Sequence, residues 1–234
     1  MTDQPTTSAP AGGTAPQPPQ TPAPRAEPAP TTPAAAWQRL REGNARFVAG
    51  ESRHPNQDAS RRRSVAGGQH PFAVIFGCSD SRLAAEIIFD LGLGDAFVVR
   101  TAGQVIDDAV LGTIEYAVEN LHTPLIMVLG HDSCGAVTAT HATAHSGDMP
   151  RGFQRDLIER IMPSVLQTRR DGHDDVNAAV VEHTKQTSGR LLEQSRVIND
   201  AVSRGEVAVV GVFYHLQDGE AELVHGHGPW LPSA

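Results

Sequence analysis

The chain has 234 residues, which is enough for one α/β domain with a full core. Its formal net charge is −8 and its pI is near 5.7, so no broad basic surface is available and we expect neither a nucleic-acid partner nor an anionic membrane partner. No apolar stretch approaches the roughly 20 residues that span a bilayer, and the N-terminus lacks a secretory pattern, so we predict a cytoplasmic protein.

The N-terminal segment has a different composition from the remainder of the chain. Residues 1–33 are mostly Pro, Ala, Thr and Gln, and they contain ten of the 17 prolines. Such a segment buries too little apolar surface to offset its ordering entropy, so we predict that it is disordered and that residues 34–230 form one domain. Thr32 and Pro33 are a typical cap and first residue of a helix, and they predict an N-terminal helical arm. The arm could pack on its own domain or on a partner subunit.

Short apolar runs alternate with amphipathic stretches from residue 72 onward. This pattern predicts strands at 72–76, 97–100, 125–129, 207–214 and 220–225. It predicts helices at 84–90, from Asp107 or Asp108, after Cys134, at 153–168 and at 174–202. Alternating strands and helices indicate parallel strands joined by right-handed crossovers. The predicted fold class is therefore α/β, a single domain with a mainly parallel central β-sheet flanked by helices, and with a short C-terminal antiparallel strand.

Two polar segments lie just beyond predicted buried strands. Cys78-Ser-Asp80-Ser-Arg82 follows the strand that ends at residue 76, and His131-Asp-Ser-Cys134 follows the strand that ends at residue 129. In open parallel sheets, ligand sites form outside the carboxyl ends of the strands. We therefore expect the two segments to lie close together at one edge of the sheet.

The donor atoms in these two segments are those that zinc prefers. Cys78, His131 and Cys134 supply two sulfurs and one nitrogen, and the fourth position of a tetrahedral site falls to Asp80 or to water. An exchangeable fourth position is typical of a catalytic zinc site. If Arg82 holds Asp80 in a bidentate pair, that position is open to water; if Asp80 binds the metal, the site is closed.

Other interpretations of the same residues are open. A closed, non-catalytic zinc-binding module would serve assembly or sensing, although a purely structural site has little use for a labile fourth ligand. A nucleophilic Cys78 beside Arg82 is a rival, but the loop lacks the longer spacing and glycine-rich cradle of an anion-binding cysteine loop. His225 and His227 could bind a stray metal ion, but two histidines at this spacing on a strand end are weak evidence.

The two motifs resemble those of a known family. The segments AVIFGCSDSR, ending at Arg82, and GHDSCGA, starting at Gly130, are similar to the β class of carbonic anhydrases, closest to actinobacterial, plant-like members. The resemblance implies one Zn²⁺ per subunit and reversible hydration of carbon dioxide to bicarbonate and a proton by zinc-bound hydroxide. It also leaves a related zinc hydrolase of carbonyl sulfide or carbon disulfide as an alternative.

The resemblance assigns roles to particular residues. It implies that Cys78, His131 and Cys134 are the zinc ligands, and that Asp80 either binds zinc or pairs with Arg82 to open the fourth site.

It further implies that Gln69 reaches a neighbouring subunit's site to hydrogen-bond substrate, and that Phe97 and Tyr116 are walls of the substrate pocket. The implied assembly is a homodimer or tetramer with the active site at the dimer interface. Ile75 stands where some members have a tryptophan beside a regulatory bicarbonate, so we do not expect that inhibitory site here.

Overall fold

The computed structural model of the chain describes residues 28–228. Most of the segment predicted to be disordered, and the predicted domain end at residue 230, lie outside the described residues. The last residue of that segment, Pro33, is the first residue of a helix, and Thr32 caps the helix as predicted, because its side chain accepts a hydrogen bond from the Ala35 amide. Within 28–228, no helix is both long enough and apolar enough to span a bilayer.

Five strands form one sheet in the order β2-β1-β3-β4-β5. They are β1 (Ala73–Cys78), β2 (Ala96–Thr101), β3 (Leu125–His131), β4 (Ala208–Tyr214) and β5 (Ala221–His227). The pairs among β1 to β4 are parallel, and β5 runs antiparallel to β4. The predicted mainly parallel sheet with a C-terminal antiparallel strand is confirmed.

Eight α-helices accompany the sheet in the described residues. They are α1 (Pro33–Val48), α2 (Ala59–Ser64), α3 (Ala85–Ile88), α4 (Asp108–Glu119), α5 (Gly135–Ser146), α6 (Gln154–Arg170), α7 (Val176–Gln194) and α8 (Arg196–Ser203). The prediction of a single helix over 174–202 is wrong, because the helix is interrupted at Ser195. There the backbone is extended, with φ −112° and ψ 112°, and the Ser195 hydroxyl caps α8 by accepting from the Ile198 amide.

The sheet buries a different apolar core on each face. Alternate residues of a strand point to opposite faces, so Ile75 joins one cluster with Leu129, while Phe76 joins the other with Ile114 of α4. The strands β1, β3 and β4 are buried along their whole length. Such rigid central strands fix the position of the loops that leave their carboxyl ends.

The N-terminal arm packs on its own domain. Trp37 and Leu40 of α1 belong to the first core cluster. The buried Asn44 side chain ties the helix down, since its amide donates to the Gly219 carbonyl (2.8 Å) and the Ile88 carbonyl (3.3 Å). Its oxygen accepts from the Ala221 amide (3.0 Å). One side chain therefore joins α1 to α3 and to the turn before β5.

We predict that Asn44→Ala lowers the free energy of unfolding by about 2–4 kcal/mol, because it leaves buried backbone groups of the two partner segments without hydrogen bonds. Urea denaturation followed by circular dichroism measures the change. Asn199→Ala is the matched control, since the Asn199 amide is exposed and makes one long bond of 3.3 Å to Leu192. Equal stability of the two variants would contradict this account of the arm.

Candidate metal centre

The two cysteine-containing segments meet because β1 and β3 are neighbours. Gly77 of β1 lies opposite Leu129 of β3 in the parallel register, so Cys78 and His131 end their strands at the same edge. The Sγ atoms of Cys78 and Cys134 are 4.0 Å apart. One ligand atom from each cysteine and from His131 lies within 4.8 Å of the other two, and all three residues are buried. The structure thus brings together the three strong donors expected from the sequence.

The imidazole of His131 presents an unpaired nitrogen. Its Nδ1 lies 2.8 Å from the Asp132 carbonyl, which only accepts, so Nδ1 carries the proton and Nε2 carries the lone pair. That Nε2 is buried and has no hydrogen-bond partner. In metal-binding histidines, one ring nitrogen commonly donates to a backbone carbonyl while the other binds the metal. His131 has this arrangement, because Nδ1 donates to Asp132 and Nε2 is left available beside the two sulfurs.

The spacing of the sulfurs fits a tetrahedral metal site. Zinc–sulfur bonds of about 2.3 Å place two tetrahedral sulfur ligands roughly 3.8 Å apart, close to the 4.0 Å found here. Both cysteines are free, and the separation is far beyond the roughly 2.05 Å of a disulfide bond. With the unpaired imidazole nitrogen, the donor set fits Zn²⁺ and leaves a fourth position for another ligand.

The centre favours negative charge on one sulfur. The Cys134 thiol, as a hydrogen-bond donor, lowers the pKa of Cys78, although burial opposes the shift. The same interaction raises the pKa of Cys134. Burial acts to lower the pKa of His131, but the Cys78 sulfur, the Asp132 carbonyl and the Asp80 charge together outweigh it, and the net direction is upward. A divalent cation would replace these protons, because thiolates and a neutral imidazole are the ligating forms.

The loop that carries Cys78 is held from β2. The Arg100 guanidinium donates to the Cys78 carbonyl (2.9 Å) and to the Asp80 carbonyl (2.6 Å). The Ser79 amide donates to the Thr101 carbonyl (3.0 Å). Three hydrogen bonds from one neighbouring strand therefore fix the backbone on which Cys78 and Asp80 stand.

A backbone amide points at the Cys78 sulfur. The Gly103 N–H donates to Cys78 Sγ at 3.3 Å. Gly103 has φ +65°, and a Cβ there would come within 2.9 Å of both Ile161 and Ala136, so only glycine allows this approach. His183 donates from Nε2 to the Gly103 carbonyl (2.8 Å), and burial lowers the pKa of His183 to about 4, so it is neutral near pH 7.

The turn from His131 to Cys134 has its own supports. Ser133 adopts a left-handed backbone with φ +52°, and its amide donates to the Asn177 side chain of α7 (2.9 Å). The Asp132 carboxylate accepts from the Leu216 amide (2.9 Å), just beyond β4. This tight turn brings the Cys134 sulfur back beside the His131 ring, and α5 begins at the next residue.

Asp80 is paired with Arg82 and is not among the three clustered donors. The Arg82 guanidinium contacts both carboxylate oxygens, with Nε–Oδ1 at 2.9 Å and Nη2–Oδ2 at 2.8 Å, and the Arg82 amide also donates to Oδ1. These interactions hold the pKa of the Asp80 carboxyl well below its usual range, so it is ionised at neutral pH. Of the two arrangements expected for Asp80, the structure has the one in which arginine holds it.

Known proteins share these sequence and fold features. A family model described as carbonic anhydrase matches residues 73–221. Carbonic anhydrase 2 of Mycobacterium tuberculosis is 56% identical over 193 residues, covering 82% of this chain and 93% of that protein. A carbonic anhydrase of Mycolicibacterium smegmatis is 54% identical over the same length, with 82% and 94% covered. Among solved structures, a tetrameric β-carbonic anhydrase from Sordaria macrospora has a TM-score of 0.66 at 22% identity, covering 83% of this chain and 100% of that one.

The chain belongs to the β-carbonic anhydrase family. The resemblance inferred from the two motifs is confirmed, as is the inference that the protein is an enzyme. Membership gives the overall reaction, the hydration of carbon dioxide, and the cluster of Cys78, His131 and Cys134 is consistent with the metal site of such an enzyme.

The residues expected to contact substrate in this carbonic anhydrase are Gln69, Phe97 and Tyr116, and the structure shows the surroundings of each. Gln69 is exposed in the loop before β1. Phe97 packs with the second core cluster, on the other face of the sheet from the cluster that includes Cys78, and its ring is 6.3 Å from that of Tyr116. Tyr116 is 48% exposed. Within one chain, Phe97 is therefore separated from Cys78 by the sheet, and the roles of all three residues remain predictions.

Several residues that hydrogen-bond to the backbone around the metal centre belong to no recognisable sequence motif. Arg100 lies in β2, and no local pattern predicts its hydrogen bonds to the Cys78 loop. Asn177 and His183 lie in a helix with no recognisable signal. The one available hint is that His183 begins a buried polar stretch with Thr184, Thr187 and Ser188 in an otherwise ordinary helix.

We predict that His183→Ala weakens zinc retention by about 10- to 100-fold, the range typical of losing a group that supports a metal ligand. The substitution leaves the Gly103 carbonyl unpaired and frees the peptide that donates to Cys78. Zinc content after dialysis against graded chelator measures the effect. His70→Ala, at an exposed position, is the matched control. Unchanged retention in His183→Ala would show that this hydrogen bond does not position the Gly103 amide.

Proposed function

We propose that carbon dioxide hydration takes place at a zinc ion bound by Cys78, His131 and Cys134, with Asp80 and Arg82 keeping the fourth position available to water. The observation that carries the proposal is the buried, unpaired Nε2 of His131 facing two sulfurs that are 4.0 Å apart. Zinc in such a site supplies Lewis acidity that lowers the pKa of water toward neutrality.

The protein's own side chains determine how that Lewis acidity is used. Two thiolates donate more charge than imidazoles would, so we expect a weaker Lewis acid than a three-histidine site and an activity that rises with pH. Asp80, held by the bidentate contact with Arg82, is ionised and accepts hydrogen bonds only, so it orients a nearby water for attack on carbon dioxide.

The placement of Gln69, Phe97 and Tyr116 supports a homo-oligomer. Phe97 packs on the other face of the sheet from Cys78, Gln69 and Tyr116 are exposed, and a second copy of the chain could bring such residues to the centre. The tetrameric relative from Sordaria macrospora has the same fold. We infer a homodimer or tetramer in which carbon dioxide and bicarbonate bind between subunits. Two cysteines that form no disulfide and serve as metal ligands further favour a reducing compartment, the cytoplasm.

We predict that Cys78→Ser loses most of its zinc and that carbon dioxide hydration falls by about 100-fold or more, because the hydroxyl is a far poorer zinc ligand than a thiolate. Metal analysis and stopped-flow hydration on the same sample test both effects. Full activity in this variant would refute the proposed metal centre. Activity lost with zinc retained would instead assign Cys78 a role as a nucleophile.

We predict that Asp80→Asn keeps its zinc but loses about 100-fold in turnover, because the group that orients the attacking water is lost and a misplaced reactant costs a rate factor of this order. Arg82→Gln should also lose turnover, because a released Asp80 can occupy the fourth position. The absorption spectrum of the cobalt-substituted Arg82→Gln protein should change, since the coordinating atoms change. Asp108→Asn, at an exposed position, is the control. Loss of zinc from Asp80→Asn would mean that Asp80 is an obligatory ligand.

A further inference from the structure

A second group of metal-ligating side chains lies at the far end of α5 from Cys134. His141 and His145 are one helical turn apart and therefore share a face of the helix. Asp174 reaches them from the connection between α6 and α7, with Oδ1 3.0 Å from His141 Nε2 and Oδ2 2.9 Å from His145 Nε2. We call these three residues the surface triad. Among the described residues, it and the cysteine centre are the groups of three whose ligand atoms all lie within 4.8 Å of one another.

The histidine rings of the surface triad are oriented for ligation. The two ring centroids are 4.6 Å apart, and both Nε2 atoms point at the same carboxylate. His145 Nδ1 donates to the His141 carbonyl at 2.9 Å, because that carbonyl only accepts. Its Nε2 lies 2.9 Å from the Asp174 carboxylate, which also only accepts, so this contact in the metal-free chain needs a second proton on the ring; a bound cation would replace that proton and use the Nε2 lone pair.

We propose that His141, His145 and Asp174 form a second metal site, which binds a divalent first-row transition ion such as Zn²⁺, Co²⁺ or Ni²⁺. Two imidazoles with one carboxylate suit these ions, whereas Mg²⁺ and Ca²⁺ prefer all-oxygen ligands. One ligand atom from each residue lies within 4.8 Å of the other two, so bonds of about 2.0–2.1 Å to a shared ion could replace the present N–O contacts of 3.0 Å to Oδ1 and 2.9 Å to Oδ2. The remaining coordination positions go to water.

The triad is accessible to an ion from solution. The side chains of His141, His145 and Asp174 are 18%, 41% and 56% exposed. The Arg169 guanidinium competes with a metal ion for the Asp174 carboxylate, because Arg169 Nε lies 3.9 Å from Asp174 Oδ1. Its Nη1 is held by the Ala144 carbonyl at 3.1 Å, so the guanidinium stays beside the triad. We therefore expect weaker binding here than at the buried cysteine centre.

Binding at the triad would join two separate segments. It links the C-terminal half of α5 to the α6–α7 connection, and α5 begins directly after Cys134. A ligand that binds only the folded state stabilises it in proportion to occupancy. The site would act as a metal-dependent clamp on the helix that leaves the catalytic centre.

The test is calorimetric titration of Zn²⁺ into the zinc-loaded protein. We expect one additional equivalent to bind to the wild type and none to bind to His141→Ala or to His145→Ala. Asp174→Asn should bind the additional Zn²⁺ at least about tenfold more weakly. Loss of a group that only supports a metal ligand already costs about tenfold in affinity, and Asp174 is itself a proposed ligand. His173→Ala, next to the triad in an exposed position, is the matched control and should keep the additional equivalent. Circular dichroism checks that each variant is folded.

The same additional equivalent in the histidine variants, or its absence from the wild type, would overturn the proposal. Co²⁺ gives a second reading, because an ion at the cysteine centre shows thiolate charge-transfer absorption and an ion at the triad does not. If the cysteine centre held no metal, the wild type and all variants would lack the charge-transfer band. The wild type would still bind one more Co²⁺ than the histidine variants. Failure of the proposed function and failure of the second site are therefore distinguishable.

Discussion

The parallel pairing of β1 with β3 is the constraint on which the rest of the centre depends. It places the segments that contain Cys78 and His131, which are 53 positions apart in the sequence, at the same edge of a rigid sheet. The result is a buried imidazole nitrogen without a protein partner. Leaving a buried polar group unpaired costs about 1–3 kcal/mol, so the fold carries an unfavourable contribution that a bound cation would remove.

The elements around the centre fix its geometry and do not supply ligands. Arg100 from β2 holds the carbonyls of the Cys78 loop, and Asn177 from α7 holds the left-handed turn before Cys134. His183 holds the Gly103 peptide, whose N–H reaches the Cys78 sulfur. Because neighbouring strands and helices each restrain a different backbone segment, the donor atoms are placed before any metal arrives. Such preorganisation limits the reorganisation that metal binding would otherwise require.

The two groups of metal-ligating side chains differ in how the fold builds them. The cysteine centre is buried and needs β1, β3 and the start of α5 together. The surface triad needs one helix face and one neighbouring connection, and it is open to solvent with an arginine beside it. Burial removes competing water and raises the cost of an unpaired donor, whereas exposure leaves the donors hydrated. This difference is the physical reason to expect tight binding at the first and weaker binding at the second.

The sequence by itself determined the alternating element order, the helix cap at Thr32, a second cap at Asp107 or Asp108, of which the structure uses Asp107, and the ligand candidates Cys78, His131 and Cys134. These follow from local periodicity, side-chain capping chemistry and residues placed directly after buried strands. Only the tertiary structure decided that α1 packs on its own domain through Asn44, that Arg82 holds Asp80, and which groups support the centre. Those outcomes depend on contacts between distant segments, such as Gly103 with His183, and no local pattern encodes a hydrogen bond across 80 residues.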